Sequence, residues 1–442
     1  MGQDIEQKSG RKIECDHPLY HLKRKVWNSH VDRYPAIIFE CQHVQDVLDA
    51  VHYANEHGLK VSVRGGGFHP AGRTVKDNAV LIDVSQMNEI QVDEISKIAI
   101  IEAGAITREV DKITQEYGLA VPLAMNSQIG ISGLALGGGI GHLRGKYGLT
   151  SDNIVGVHLV TGEGQLLYVN KFEHPALFWA IRGAGANFGV VTKFEFQLHP
   201  VGQYILGIDV VYDYKDCKQI LEKAESYRQQ AVEDISFNII ITKLNQDHQY
   251  VRLVGMYVGE LNLKTEQEII QPLLELATPL TDNTEITLYR DMHCKFDSYI
   301  REGFTFEGIS LFFNELHPNV IQLLMDEVNN SELLVVIHLV ELHGKVNQIP
   351  HQETAFYIRD ASYLVVIEAE ISSDPSKTQT WFDNLYEKLL PYSYHQISYL
   401  NSSQVNEEVI RNTYRTIADK LVVLKKEYDP NNLFCSEHNL ID

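Results

Sequence analysis

Between Ala36 and Pro200 the apolar positions fall into short blocks separated by glycine. Val44, Val47, Leu48, Val51 and Ala54 recur at helical spacing and Gly58 supplies a stop, which predicts a helix over Val44 to His57. Lys60 to Val63 reads as a short strand that runs straight into Arg64-Gly65-Gly66-Gly67. Val80 to Val84 and Ile98 to Glu102 are further strands, the second followed by Ala103-Gly104-Ala105 and a helix over Thr107 to Tyr117. Beyond Pro200 the strands lengthen and alternate in polarity, as in Ile235 to Lys243, Tyr250 to Val258, Val335 to Leu342 and Tyr363 to Ile371. Helices are expected over Thr265 to Leu276, where Thr265 and Glu268 have capping-box spacing, and around Thr378 to Leu390. This second texture predicts an antiparallel sheet with helices on one face.

At 442 residues the chain exceeds what one core fills, about 250–300 residues, so two or three domains are expected. With 38 Lys and Arg against 59 Asp and Glu, the net charge of −21 repels phosphate backbones and anionic lipid, and neither nucleic acid nor membrane is an expected partner. No apolar run approaches the ~20 residues of a membrane span. The opening MGQDIEQKSGRK has no apolar stretch of signal-peptide type, and Glu6 stands where myristoylation wants Ser or Thr, so a cytoplasmic protein is expected. Cys15, Cys41, Cys217, Cys294 and Cys435 are scattered singly, which predicts free thiols and neither a disulfide framework nor a metal site.

Three glycine-rich stretches remain to be explained: Arg64 to Gly67, Gly137 to Gly141, and Arg182 to Gly189. Runs of glycine let backbone N–H groups converge on phosphate oxygens. Any one of these loops alone is better read as a tight turn, but three in one region suggest a nucleotide pyrophosphate. None has G-x-G-x-x-G spacing, and no G-x-x-x-x-G-K-[ST] is present, so neither a Rossmann site nor a P-loop accounts for them.

The runs Ile129 to Asn153 (IGISGLALGGGIGHLRGKYGLTSDN) and His174 to Thr192 (HPALFWAIRGAGANFGVVT) resemble the flavin domain of berberine-bridge-enzyme-like FAD-linked oxidoreductases, in the vanillyl-alcohol oxidase and p-cresol methylhydroxylase (PCMH) superfamily. The resemblance continues through Arg33 to Ala36, Val63 to Gly67, Leu81 to Ser85 and Leu421 to Phe434. It implies an α+β fold with a PCMH-type two-part FAD-binding domain and a central antiparallel-sheet substrate domain with helices on one face. The expected division is 1–203 for the FAD domain (PCMH-type, about 32–202), 204–390 for the substrate domain, and 391–442 returning to the FAD domain. The same resemblance implies a pyrophosphate loop at Arg64, Gly65, Gly66, Gly67, Phe68 and His69. It also implies that Ile129, Gly130, Gly133, Leu134, Gly137, Gly141, Tyr147, Asp152, Gly189, Val191 and Asn439 border FAD.

Two positions depart from the family. Phe68 stands where a flavin-linking histidine is usual, with His69 one residue later, and Asn126 stands at the place of the linking cysteine. Noncovalent FAD is therefore expected, with a single link through His69 open if the loop shifts. Oxidation of an alcohol or amine requires a base over the ring. Tyr399, in Tyr399-Leu400-Asn401, is the first candidate. The family position that often carries Gln or Glu is Val366, and period-2 alternation offers Glu368, on the same face, as a substitute; a solvated role for Glu368 and Glu370 is an equal alternative. Arg359 belongs to a segment resembling the family's T-A-F-x-x-R, with an ion pair to Asp360 or a neighbour as its plain role. His142, His293 and His343 are unassigned. The resulting expectation is an oxidoreductase acting on a small alcohol, sugar, phenol or amine. Its electron acceptor is O2 or another, with a lean to dehydrogenase because Ile129 occupies the place where a valine-sized residue leaves room for O2 in relatives. The alternative is a relative that has lost oxidation and uses the fold for binding or a non-redox step.

Overall fold

In the computed structural model, residues 10–245, 248–295, 297, 305–372, 374–402, 407–434 and 439–440 are described. The first 200 residues build two small sheets and a two-stranded pairing of Leu119–Ala120 with His199–Pro200. Four strands order as Arg11–Ile13, Ile37–Glu40, Val80–Asp83 and Val61–Arg64, the last two pairings being parallel. Five antiparallel strands order as Ile90–Asp93, Ile98–Glu102, Val190–Gln197, Ile154–Val160 and Leu166–Asn170. The helix Val44–Glu56 buries Val47, Ala50, Val51 and Ala54 against the first sheet, as its spacing predicts.

The remaining large sheet has eight strands, all antiparallel, with the path Pro279–Asp282, Tyr204–Asp213, His248–Tyr257, Ile235–Asn245, Val335–Glu341, Tyr363–Glu370 and Phe306–Phe313; Glu285–Leu288 pairs beside the first of these on Tyr204–Asp213. Its two faces differ. In Tyr363–Glu370, Tyr363, Val365, Ile367 and Ala369 pack with residues of the helices Cys217–Arg228, Pro318–Asn330 and Pro375–Leu389. The alternate residues Leu364 and Val366 pack instead with Ile140, Phe356 and Tyr399. The sheet thus has helices on one face and the glycine-rich half of the molecule on the other. One expectation needs correction: the helical run near Thr265 starts earlier, because Asn262 is its cap and accepts from the Thr265 N–H at 3.0 Å, and it passes through a π-turn over Glu266–Ile270.

The chain's end returns to its beginning. The Val61 N–H donates to the Leu433 carbonyl at 2.9 Å, and Leu433 and Phe434 join the core of the first half. Lys425, fully buried, holds this return with its ammonium on Asp429, the Asn187 carbonyl and the Phe434 carbonyl, while Asp429 accepts from the Leu433 and Phe434 N–H groups. Among the described residues no helix is long and apolar enough to cross a membrane.

Candidate flavin site

One cavity of about 420 Å³ lies where the glycine loops meet the returning segment. Its shape depends on missing side chains. A Cβ on Gly66 would stand 2.7 Å from the Gly130 nitrogen, and one on Gly130 would stand 2.6 Å from the Gly66 nitrogen, so the first loop touches the chain ahead of the helix Ile131–Leu136 backbone to backbone. Gly65 sits on the Ser132 hydroxyl in the same way, and Gly67 adopts φ +72°, a left-handed conformation that glycine tolerates without cost.

Gly65, Gly66, Gly67, Phe68, His69, Ile129, Gly130, Gly133, Leu134, Gly137, Gly189, Val191 and Tyr399 all line this cavity. The structure keeps six other expected residues out of its wall. Arg64 turns its guanidinium away, to Asp83 and to the Lys25 carbonyl. Gly141 lies against the Leu123 backbone, and Tyr147 stacks on His199 at 4.0 Å between ring centroids. Asp152 receives both guanidinium nitrogens of Arg359, at 2.7 and 2.9 Å, so the partner of Arg359 is not Asp360. Asn439 and Glu368 are not lining residues either. Glu368 lies further along the strand and faces His338, Oε2 to Nε2 3.4 Å, both side chains about one-third exposed.

Two kinds of residue escaped the sequence reading. Arg73 and Lys76 stand in the wall, which among the described residues contains no Asp or Glu although the chain carries a net charge of −21. A wall of this charge and glycine content fits the diphosphate of FAD, and its apolar remainder, with Leu134, Leu136 and Val190, fits the rings. His338 is the second: it pairs in register with Val366 on the neighbouring strand, which alternation in Val336, His338 and Val340 could have signalled.

Tyr399, buried to 7% exposure, is held by donors only. Its hydroxyl oxygen accepts from the Gly139 N–H at 3.1 Å and from Asn401 Nδ2 at 3.2 Å. Burial raises the phenol above its ordinary value near 10, and the Asn401 and Gly139 donors oppose the rise. Asn401 reaches this place because Gly137 has no Cβ, which would stand 2.1 Å from its Oδ1. The Gly139 amide therefore serves a tyrosine, not a phosphate as the glycine run alone suggests. Also in the wall, the His69 ring is fixed at both nitrogens, Nδ1 accepting from the Ala71 N–H at 3.1 Å and Nε2 donating to the Leu400 carbonyl at 2.9 Å. Burial, with Arg73 nearby, pushes this imidazole down to about 3. Phe68 stacks on Trp27 at 6.1 Å.

The family described as FAD binding domain matches residues 35–170. The chain is 32% identical over 428 residues to an FAD-linked oxidoreductase of Dictyostelium discoideum, a match spanning 94% of this chain and 91% of that protein. Among solved structures, 6-hydroxy-D-nicotine oxidase from Arthrobacter nicotinovorans matches with a TM-score of 0.87 at 26% identity, over 100% of this chain and 99% of that one. The berberine-bridge-enzyme-like protein 1 of Physcomitrella patens shares the fold, with a TM-score of 0.87 at 21% identity over 97% of this chain and 96% of that one. With its cavity, its sheet and its sequence in agreement, the chain belongs to the FAD-linked oxidoreductases.

Proposed function

We propose that this chain oxidises a small alcohol, sugar, phenol or amine over a noncovalently held FAD, with Tyr399 as the group that handles the substrate proton. The observation that carries this reading is the pair of N–H donors, Gly139 and Asn401, on one buried phenol oxygen. With its oxygen so supplied, the hydroxyl has its own proton left to direct into the cavity, and a phenolate formed there is stabilised in the manner of an oxyanion site. When bound, FAD supplies the two-electron acceptor for a hydride leaving the substrate carbon. As the phenolate, its own proton released to solvent, Tyr399 binds the substrate O–H or N–H and takes its proton. Glu368 and His338, on the sheet face that carries Val366, form a second acid–base pair further out.

Residues Gly65 to Phe68, Gly130 and Gly133 are proposed to hold the cofactor, with Arg73 and Lys76 offsetting its charge. A bond to His69 requires one of its two ring hydrogen bonds to break, and the thiol position is taken by Asn126, a wall residue. Four of the five cysteines lie outside the wall, and Cys435 falls outside the described residues. Ile129 is half-buried in the wall. Its extra methylene relative to valine, in a close-packed site, supports passage of electrons to an acceptor other than O2.

Four outcomes are expected. Acid precipitation of the yellow protein should release all flavin to the supernatant; flavin retained on a peptide, read by mass, argues against noncovalent binding. Gly66→Val should purify without flavin, because its side chain has no space against Gly130; full occupancy contradicts the assigned loop. Tyr399→Phe should retain FAD and lower kcat/KM by about 10²–10⁴-fold. A base whose pKa is raised acts only when deprotonated, so the wild-type rate should still be climbing at pH 9 to 10, roughly, and the variant's profile should be flat there. Stopped-flow reoxidation by O2 should be slow in the wild type and faster in Ile129→Val; a wild-type rate typical of flavin oxidases rejects the dehydrogenase reading.

A further inference from the structure

We propose that a second cleft, separate from the flavin cavity, binds a planar aromatic carboxylate. It has a volume of about 830 Å³ and opens between the segment Leu390 to Ile397, the loop around Tyr357, and the turn that follows the helix Glu407–Tyr414. That helix separates the two sites. Tyr414 lines the flavin cavity and donates its hydroxyl to the Gly183 carbonyl, whereas Asn412 and Arg415 line the cleft on the other side.

The cleft combines aromatic plates with one uncommitted cation. Tyr357 and Tyr394 form its apolar walls, and both pack against the cluster that contains Phe356 and Tyr399. Among the described residues Arg415 has no ion pair and no side-chain hydrogen bond, and neither the His395 ring nitrogens nor the side-chain amides of Gln396 and Asn412 are engaged. The carboxylate at hand, Asp360, is held by His351 Nε2 at 3.0 Å and faces the Tyr394 hydroxyl. Arg415 thus has the cleft's charge to itself, in a chain whose net charge is −21. A guanidinium binds a carboxylate through two parallel N–H bonds, and tyrosine faces stack on a flat ring. Amide groups at the rim suit further oxygens on the same ring. A phosphate would leave the apolar walls unused and would call for more than one cation.

The backbone of the wall is built at a cost. His395 and Gln396 are consecutive non-glycine residues with φ of +52° and +59°, a conformation that persists only where the surroundings enforce it. They do so here: the Tyr394 N–H donates to the Phe312 carbonyl at 2.6 Å, the Phe312 N–H to Ile397 at 3.3 Å, and the Ile397 N–H to Tyr394 at 3.2 Å. The turn holds the His395 and Gln396 side chains in the cleft.

Calorimetric titration of the FAD-loaded protein with 2-naphthoate tests the proposal. One saturable site is expected, with no change in the flavin absorption spectrum. Arg415→Gln should weaken it by about tenfold or more, and Arg415→Lys by less, since lysine keeps the charge and loses the fork. The neutral amide, 2-naphthamide, should bind wild type as poorly as naphthoate binds Arg415→Gln. Arg415 is exposed, so the variants should keep their flavin content, which verifies the fold independently. Absence of saturable heat up to roughly 5 mM naphthoate overturns the proposal. So does equal affinity in Arg415→Gln, equal affinity for the amide, or binding that perturbs the flavin spectrum and ignores Arg415, which assigns the probe to the flavin cavity.

Discussion

The two halves of this molecule are joined through a guanidinium that water never reaches. Arg144 is fully buried, and its N–H groups go to the carbonyl of Gly141 on one side and to the carbonyls of Phe237 and Glu341 and the Asn238 side chain on the other. Burying a charge costs several kcal/mol, which this number of acceptors and the Glu341 carboxylate 4.0 Å away offset. Burial lowers the group to about 10 and Glu341 opposes the fall, so the charge persists at neutral pH. Glu341 in turn holds His343 Nδ1, and burial of that imidazole is outweighed by the carboxylate, leaving it raised. Because Gly141 ends the glycine run, anchoring its carbonyl to the sheet also places the Gly139 amide on the Tyr399 oxygen. A second buried pair, Arg359 with Asp152, does the same work further along the interface.

Legibility from sequence depends on which interactions are local. Helical spacing in Val44 to Ala54 and alternation in Tyr363 to Glu370 depend on neighbours in sequence, and both elements form where expected. The two-sided character of the large sheet was visible only in part. Alternation separates Val365 from Val366, but nothing in the strand says that helices cover one and the flavin half covers the other. Arg64 and Asp152 sit inside motifs of the family yet point away from the cavity, because a motif specifies backbone and leaves the side chain to partners such as Asp83 and Arg359. Long-range partners of this kind, Lys425 with Asn187 among them, leave no local periodicity to detect.

The glycine runs illustrate the same limit. Sequence distinguishes them by composition alone, whereas the structure gives each a different reason. Gly66 and Gly130 permit two backbones to touch, Gly137 makes room for Asn401, and Gly183 at φ +135° makes room for the backbone of Phe356. Gly137 and Gly183 thus make room for Asn401 and Phe356, both packed about Tyr399, whereas Gly66 and Gly130 seat two backbone segments on one another.

With Phe68 in the expected anchor place, the neighbouring His69 ties two segments of the cavity wall together. Phe68 occupies the expected place and stacks on Trp27, which rotates the next side chain onto the Leu400 carbonyl. The imidazole then becomes a strut between the cofactor loop and the segment that carries Tyr399 and Asn401. Its neutral form is the one required, since Nδ1 must accept from Ala71 while Nε2 donates. A protonated ring would lose the first bond and add a charge beside Arg73, and this is why burial and that arginine hold its pKa at about 3. The strut therefore stays intact across the neutral and mildly acidic range. The loop at Phe68 and the segment that carries Tyr399 are thereby tied by a hydrogen bond that the protein makes from its own groups.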